Sequence, residues 1–288
     1  MYNTFNKLLI NDFGNRNGRN LIMKKYLKSI IAIAAISVMT LSLAACGSNK
    51  TTEENNNTTT TEGENTTGGE KETLVVATNA EFPPYEYYEG QDIVGIDVEI
   101  MKAIGEKLGM EVTIEDMAFD SIIPAIQSGK ADVGAAGMTI DEDRLLNVDF
   151  TDTYCHASQA IIVNAANEEI KTADDLAGKT IGVQLGTTGD MYASDVTENV
   201  ERYNKGFEAA MAVAQGKIDA VVIDDQVAKS LAEGNADLKV LEEPFTEEDY
   251  AIAVSKDNKE LTEKINTALA ELKEDGTIQS IIDKYITE

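Results

Sequence analysis

Beginning at Thr73, the chain switches repeatedly between two hydrophobic periods, and few architectures accommodate that pattern. "TLVVATN" (Thr73–Asn79) is a β-branched run of the kind that makes a buried strand. "GIDVEIMKAIGEKLGM" follows, with Val98, Met101, Ile104 and Leu108 at helical spacing and Gly109 as a stop. "EVTIEDM" alternates apolar and polar residues like a strand. "DSIIPAIQSGK" reads as a capped helix with Pro124 in its first turn, and "ADVGAAG" as the next strand. A second round starts after about residue 165. "TADDLAGK" has a Thr172 cap and a Gly178 stop, and "TIGVQLGTT" is a strand and turn. Helices are predicted from about Thr188 and over "FEAAMAVAQGK", then a strand at "IDAVVID" and a helix at "DQVAKSLAEG". Two more helices end the chain, with stripes at Leu261, Ile265, Leu269 and Leu272 and at Ile278, Ile281, Ile282 and Tyr285. Strands alternating with helices predict an α/β fold with largely parallel sheets.

The two rounds echo one another. "IQSGKADVGAAG" (Ile126–Gly137) aligns without gaps to "VAQGKIDAVVID" (Val213–Asp224). This is either generic helix–turn–strand punctuation or the trace of two similar lobes. In the second case Gly137 and Asp224 end matching strands. Ligands of open α/β sheets collect outside the carboxyl ends of strands, so the two would face one cleft.

The region before Thr73 has a different character. "MKKYLKS" is a basic segment, and Ile30 to Leu43 is largely apolar but short for a membrane span. "LAAC" (Leu43–Cys46) then resembles a bacterial lipobox. That resemblance implies a signal peptide over 1–45, cleavage before Cys46 and a lipid on its sulfur. Met23 is the expected start of such a signal. Gly47–Glu72 has no large apolar residue and is expected to be a disordered tether. As a flexible coil it would span roughly 28 Å.

Net charge and rare residues narrow the chemistry. A net charge of −27 leaves no basic surface for nucleic acid or an anionic bilayer. Two cysteines, Cys46 and Cys155, give no disulfide framework, and His156 is the single histidine. Zinc chemistry lacks its ligand cluster, and a Ser-His-Asp triad lacks the G-x-S-x-G turn. No metal or cofactor is expected. Cys155 reads as a small buried residue. Only four arginines exist, Arg16, Arg19, Arg144 and Arg202, so the signal removes half of them. Arg144 ends "GMTIDEDR", just after a strand end. Its planar fork suits a carboxylate; the alternative is an ion pair with Asp141 or Asp143.

"VATNAEFPPYEY", "GIDVEIMKAI", "FDSIIPAIQSGKADVGAAGMTIDEDRLLNVDFT" and "IGVQLGTT…IDAVVID" together resemble the bacterial extracellular solute-binding proteins of polar amino-acid ABC transporters. The resemblance runs from about Thr73 to the C-terminus. It implies a two-lobed type II periplasmic-binding-protein fold with two hinge strands and a ligand in the interlobe cleft. The lobes are expected over 73–153 plus 251–288 and over 158–246, with hinges near 153–158 and 246–250. It further implies an α-carboxylate held by Arg144, Thr139 and Thr188, and an α-ammonium held by Asp224 and the Gly137 carbonyl. For Asp224 the alternative is a helix N-cap. Phe82 and Phe119 would sandwich the ligand's side chain, with Asn79, Glu81, Tyr85, Met138, Tyr154 and Gln184 as further wall; core packing is the alternative for each aromatic. Many relatives that bind cationic amino acids carry an aspartate where this chain has Asn79, and Glu81 is the acid that would compensate. A polar or basic amino acid is the expected ligand.

The expected function is a monomeric receptor, lipid-anchored outside the cytoplasm, that closes on an amino acid and docks on transporter permease subunits. The alternatives are an exported enzyme resembling cyclohexadienyl dehydratases, with Glu81 as proton donor, and a sensory receptor.

Overall fold

The structure, a computed structural model, describes residues 72–286. Cys46, the signal segment and nearly all of the tether lie outside the described residues. The first half of the described chain contributes β1 (Thr73–Thr78), β2 (Glu81–Phe82), β3 (Glu86–Glu89), β4 (Asp92–Val94), β5 (Glu111–Asp116), β6 (Val133–Gly134) and β7 (Asp149–Phe150). Helices α1 (Ile96–Leu108), α2 (Ile122–Gln127) and α3 (Glu142–Leu145) intervene. The chain then builds β8 (Cys155–Asn164), β9 (Ile181–Gln184), α4 (Thr188–Val196), β10 (Val200–Tyr203), α5 (Gly206–Ala214), β11 (Ala220–Asp224), α6 (Asp225–Glu233), β12 (Leu238–Val240) and β13 (Thr246–Tyr250). It finishes with β14 (Ala253–Val254), α7 (Lys259–Glu274) and α8 (Thr277–Tyr285).

Two large sheets result, ordered β5-β1-β6-β14-β7 and β10-β9-β11-β8-β12, with β13 pairing the remaining stretch of β8. They are the cores of two lobes. The expectation of largely parallel sheets holds for three strands of each, β5-β1-β6 and β10-β9-β11. The neighbours β14 and β8 run antiparallel. The reason is connectivity. The chain passes from one sheet to the other at 151–154 and back at 251–252, and each time it enters running the opposite way.

The helical stripes bury as their spacing requires. Val98 of α1 is buried, and Met101 and Ile104 share a core with α7 and α8, whose Leu261, Ile265, Leu269, Leu272, Ile278 and Ile281 are buried. Each such side chain contributes about 1.5–3 kcal/mol on leaving water. On the other face α2 brings Ile122 and Ile126 against Ala77, Met138 and Val148. Two local expectations shift. Ser121 makes no side-chain cap; a 3-10 turn at Phe119–Ser121 leads into α2 instead. Thr172 does cap, through a reciprocal box with Asp175, but only a four-residue 3-10 turn at Ala173–Leu176 follows.

The sequence echo has a structural counterpart. Gly129 and Gly216 follow α2 and α5 at φ +71° and +66°, a left-handed turn that glycine adopts without steric cost. Their N–H groups donate to Ile126 and Val213, and those of Lys130 and Lys217 donate to Ala125 and Ala212. Asp132 and Asp219 then each clamp the start of a neighbouring strand, on the N–H of Val75 at 2.8 Å and of Thr180 at 2.7 Å. The same turn, bond for bond, launches β6 and β11 at corresponding places in the two sheets, which favours related lobes over generic punctuation.

Candidate functional site

The carboxyl ends of the parallel strands meet between the lobes. From the first come Asn79 after β1, Phe119 after β5, and Gly137 beyond β6. From the second come Gln184 at the end of β9, Lys205 beyond β10 and Asp224 at the end of β11. Several of these groups touch across the gap. Gln184 Nε2 donates to Asn79 Oδ1 at 2.8 Å. Lys205 Nζ donates to Glu81 Oε1 at 2.5 Å. Arg144 Nη2 donates to the Gly186 carbonyl at 3.2 Å.

Arg144 is buried, and its contacts within the protein include the ion pair that one of the two sequence readings expected. Asp141 caps α3, accepting from the N–H groups of Asp143 and Arg144. The same carboxylate pairs with Arg144 Nε at 2.9 Å, as the surface ion-pair reading expected. Nη1 donates to the Thr139 carbonyl at 2.6 Å, and the guanidinium lies 5.3 Å from the centre of the Phe119 ring. A guanidinium has five N–H donors, and two of them, one on each terminal nitrogen, are hydrogen-bonded to protein oxygens, while Asp141 is the ion-pair partner beside Nε. One donor on each terminal nitrogen is left by these contacts, a set that can serve a carboxylate.

Asp224 sits opposite. Its side chain makes no cap to α6, so the N-cap alternative has no hydrogen bond behind it. It accepts instead from the Tyr250 hydroxyl. Burial, and then Glu248, push its carboxyl up to about 7. A carboxylate so placed is stabilised by any cation that reaches it.

Gly137 turns at φ +53°, and a Cβ there would lie 3.2 Å from the Phe82 ring and 3.3 Å from Tyr250. The position therefore needs glycine on two counts, backbone and space. Its N–H donates to Asp97 Oδ2 at 2.8 Å, and Tyr154 donates to the same oxygen at 2.6 Å. Asp97 is fully buried beside the equally buried Glu86. Burial, and then Asp97, raise the Glu86 carboxyl well above the usual carboxyl range. Burial holds Asp97 at about 6 against the pull of Tyr154 and Gly137.

Several expected wall residues are placed otherwise. Met138 points into the core of the first lobe with Ile122 and Phe119, because side chains alternate as the chain leaves β6. Tyr85 is fully buried, edge-on to Tyr250 with ring centres 5.0 Å apart. Tyr154 serves Asp97 behind Gly137. Glu81 lies at the rim, held by Lys205. Phe82 is buried, tilted against Tyr85 at 6.2 Å, with one ring edge over Gly137. Cys155 is a free, buried thiol pushed up to about 12, first by burial and then by Asp97. His156 is exposed and faces Asp249 at 3.1 Å. Among the described residues no three metal-ligating side chains converge.

Thr139 and Thr188 carry the largest correction. Both hydroxyls donate to a protein carboxylate, Glu248 Oε2, at 2.8 and 3.1 Å. Gln159 Nε2 joins them on the same oxygen at 3.1 Å. Sequence reasoning missed Glu248, Gln159, Asp97 and Glu86. For Glu248 a signal existed. In "TEEDY" alternate residues share a face, so Thr246, Glu248 and Tyr250 point together, and Tyr250 points inward.

Comparison with known proteins places this geometry. A family model described as bacterial extracellular solute-binding proteins, family 3, matches residues 74–288. The arginine-binding extracellular protein ArtP of Bacillus subtilis (strain 168) is 34% identical over 272 residues, covering 92% of this chain and 99% of that protein. The solved structure of an ancestral arginine-binding protein bound to glutamine superposes with a TM-score of 0.72 at 44% identity, over 76% of this chain and all of that one. The same kind of protein bound to arginine gives 0.71 at 46% identity, over 74% of this chain and 98% of that one. The chain belongs to the bacterial extracellular solute-binding proteins of family 3, with the two-lobed fold of that family.

Proposed function

We propose that this chain captures a free amino acid between its lobes and delivers it to the permease of an ABC transporter. The observation that carries the reading is the burial of Arg144 on one lobe and Asp224 on the other within electrostatic reach, the two charges that an amino acid's carboxylate and ammonium require. Arg144 takes the carboxylate, helped by the backbone N–H groups of Thr139 and Thr188; Asp224 and the Gly137 carbonyl take the ammonium. Asn79 and Gln184, paired across the lobes, close the far end with amide groups, and Phe82 and Phe119 flank it. An amide end suits a polar or basic side chain. The names of the relatives, with arginine and glutamine as their ligands, support that class.

The proposed hinges are the segments near 153–158 and 246–250, where β8 and β13 pair, together with the crossings at 151–154 and 251–252 that join them to the first sheet. Closure would be stabilised by contacts from both lobes to one ligand. Cys46, once lipidated, would hold the receptor at the outer face of the membrane. The relatives are named as binding proteins. Glu81, the acid on which a dehydratase would rely, is tied to Lys205 at the rim.

A thermal-shift screen of the twenty amino acids and cystine tests the reading. A ligand that binds only the folded state raises the unfolding midpoint. One or a few polar or basic amino acids are expected to do so; a flat response to all of them would overturn the proposal.

A further inference from the structure

The floor of the cleft holds a carboxylate that the assignment above does not use. Glu248 lies on β13, the strand leading to the second crossing, and is 5% exposed. Its Oε2 collects three donors: Thr139 Oγ1 from the first lobe at 2.8 Å, Thr188 Oγ1 from the second at 3.1 Å, and Gln159 Nε2 from β8 at 3.1 Å. Its Oε1 is buried with no hydrogen-bond partner among the described residues. The Tyr192 hydroxyl on α4 lies near the Glu248 carboxyl, and Arg144 and Asp224 lie within its electrostatic reach.

A hydroxyl has one proton to give and two lone pairs. Once that proton is committed to Glu248, the oxygen can only accept. Thr139 and Thr188 therefore cannot also donate to a ligand's carboxylate through their side chains. What remains for the carboxylate are N–H groups: the fork of Arg144 and the backbone N–H of Thr139 and of Thr188. The last opens α4, where a helix supplies no internal acceptor. What remains on the hydroxyl side is a set of acceptors, Thr139 Oγ1 and the orphaned Glu248 Oε1, beside the carboxylate of Asp224. Burial makes such a set costly until donors reach it. An ammonium brings three.

We propose that Glu248 is a positioning residue of the amino-acid site: by taking the hydroxyl protons of Thr139 and Thr188, one from each lobe, it turns both oxygens into acceptors and makes the cleft floor select a ligand that carries an α-ammonium. The inference rests on the amino-acid reading above. It adds that the negative charge on the ammonium side comes from two carboxylates, one of them acting through hydroxyls.

The test is Glu248→Gln with calorimetry on two matched pairs: L-arginine with 5-guanidinopentanoate, and L-glutamine with glutaric acid monoamide. The second member of each pair lacks only the α-amino group. Glutamine keeps the shape and can still accept from the three donors, but it removes the charge and replaces the orphaned oxygen with a donor. The variant is expected to lose about tenfold or more in affinity for the amino acids. For the deaminated acids it should change affinity by less than about twofold. An equal loss within each pair, or no loss in either, overturns the proposal. Thr139→Val supplies the second variant. Combined with Glu248→Gln it should cost less than the sum of the two single changes, because both act through one contact; additive losses count against it. Wild-type protein that responds to none of the twenty amino acids or cystine overturns the amino-acid reading and this inference with it, whereas wild-type binding with equal losses overturns this inference alone.

Discussion

Gly137 and Asp224 stand at corresponding strand ends, reached through the same helix, the same left-handed turn and the same aspartate clamp. Beyond that point the lobes diverge. The first ends in glycine, so that its backbone lies against Phe82 and Tyr250 and is fixed from behind by Asp97. The second ends in a buried carboxylate fixed by Tyr250. One lobe offers main chain and a cation on α3; the other offers an anion. A duplicated scaffold thus yields a cleft that is alike in shape on its two sides and opposite in charge, which suits a zwitterion. The comparison teaches that symmetry resides in the backbone turns and polarity in single residues beyond them.

The comparison breaks most completely at Arg144. Arg144→Ala is expected to lower affinity for every amino acid by at least about a hundredfold, since it leaves a desolvated carboxylate without its partner. Calorimetry that still finds micromolar binding would refute the assignment. Asp224→Asn attacks the opposite pole. It should weaken amino acids by about tenfold or more and hardly affect their deaminated analogues. Equal losses would move Asp224 to a structural role.

A milder probe is pH. Burial, and then Glu248, hold the Asp224 carboxyl up at about 7, and an ammonium beside it would hold it ionised. Binding near pH 7 should therefore release about half a proton, seen as a dependence of binding enthalpy on buffer. Affinity should be flat above pH 7 and fall as pH drops below it. Affinity that rises on acidification would contradict the role of Asp224. The smallest effect tests the scaffold. Gly129→Ala and Gly216→Ala face open space, so each should cost only the left-handed backbone penalty, about 1–2 kcal/mol, in urea unfolding. Markedly unequal costs would mean that the two turns are not equivalent.

The scaffold was largely legible in the sequence. The stripe of α1, its stop at Gly109, the helix from Thr188 and the paired Gly-Lys turns follow from period and turn chemistry. Arg144 stood out because arginine is scarce here. The antiparallel returns were not legible, since no local pattern states which sheet a strand such as Ala253–Val254 rejoins. Glu248 was hidden by composition. It lies among Glu242, Glu243, Glu247 and Asp249 in a chain with 51 acids, where a further acid reads as solvated surface. Asp97 was hidden by position, because an acid in a helix's first turn is ordinarily a favourable surface choice. Burial, which separates both from their neighbours, is a property of the assembled fold.

Arg144 also differs from Arg202 in what holds it. Arg202 lies half exposed on the second lobe against Asp190 and Ser194. Arg144 is pinned within its own lobe by Asp141 and the Thr139 carbonyl. A long side chain gathered from solvent at the moment of encounter forfeits up to about 2 kcal/mol of rotamer entropy. For Arg144 that loss belongs to folding. The fork meets each arriving molecule already rigid, and capture leaves the conformational freedom of this arginine where folding set it.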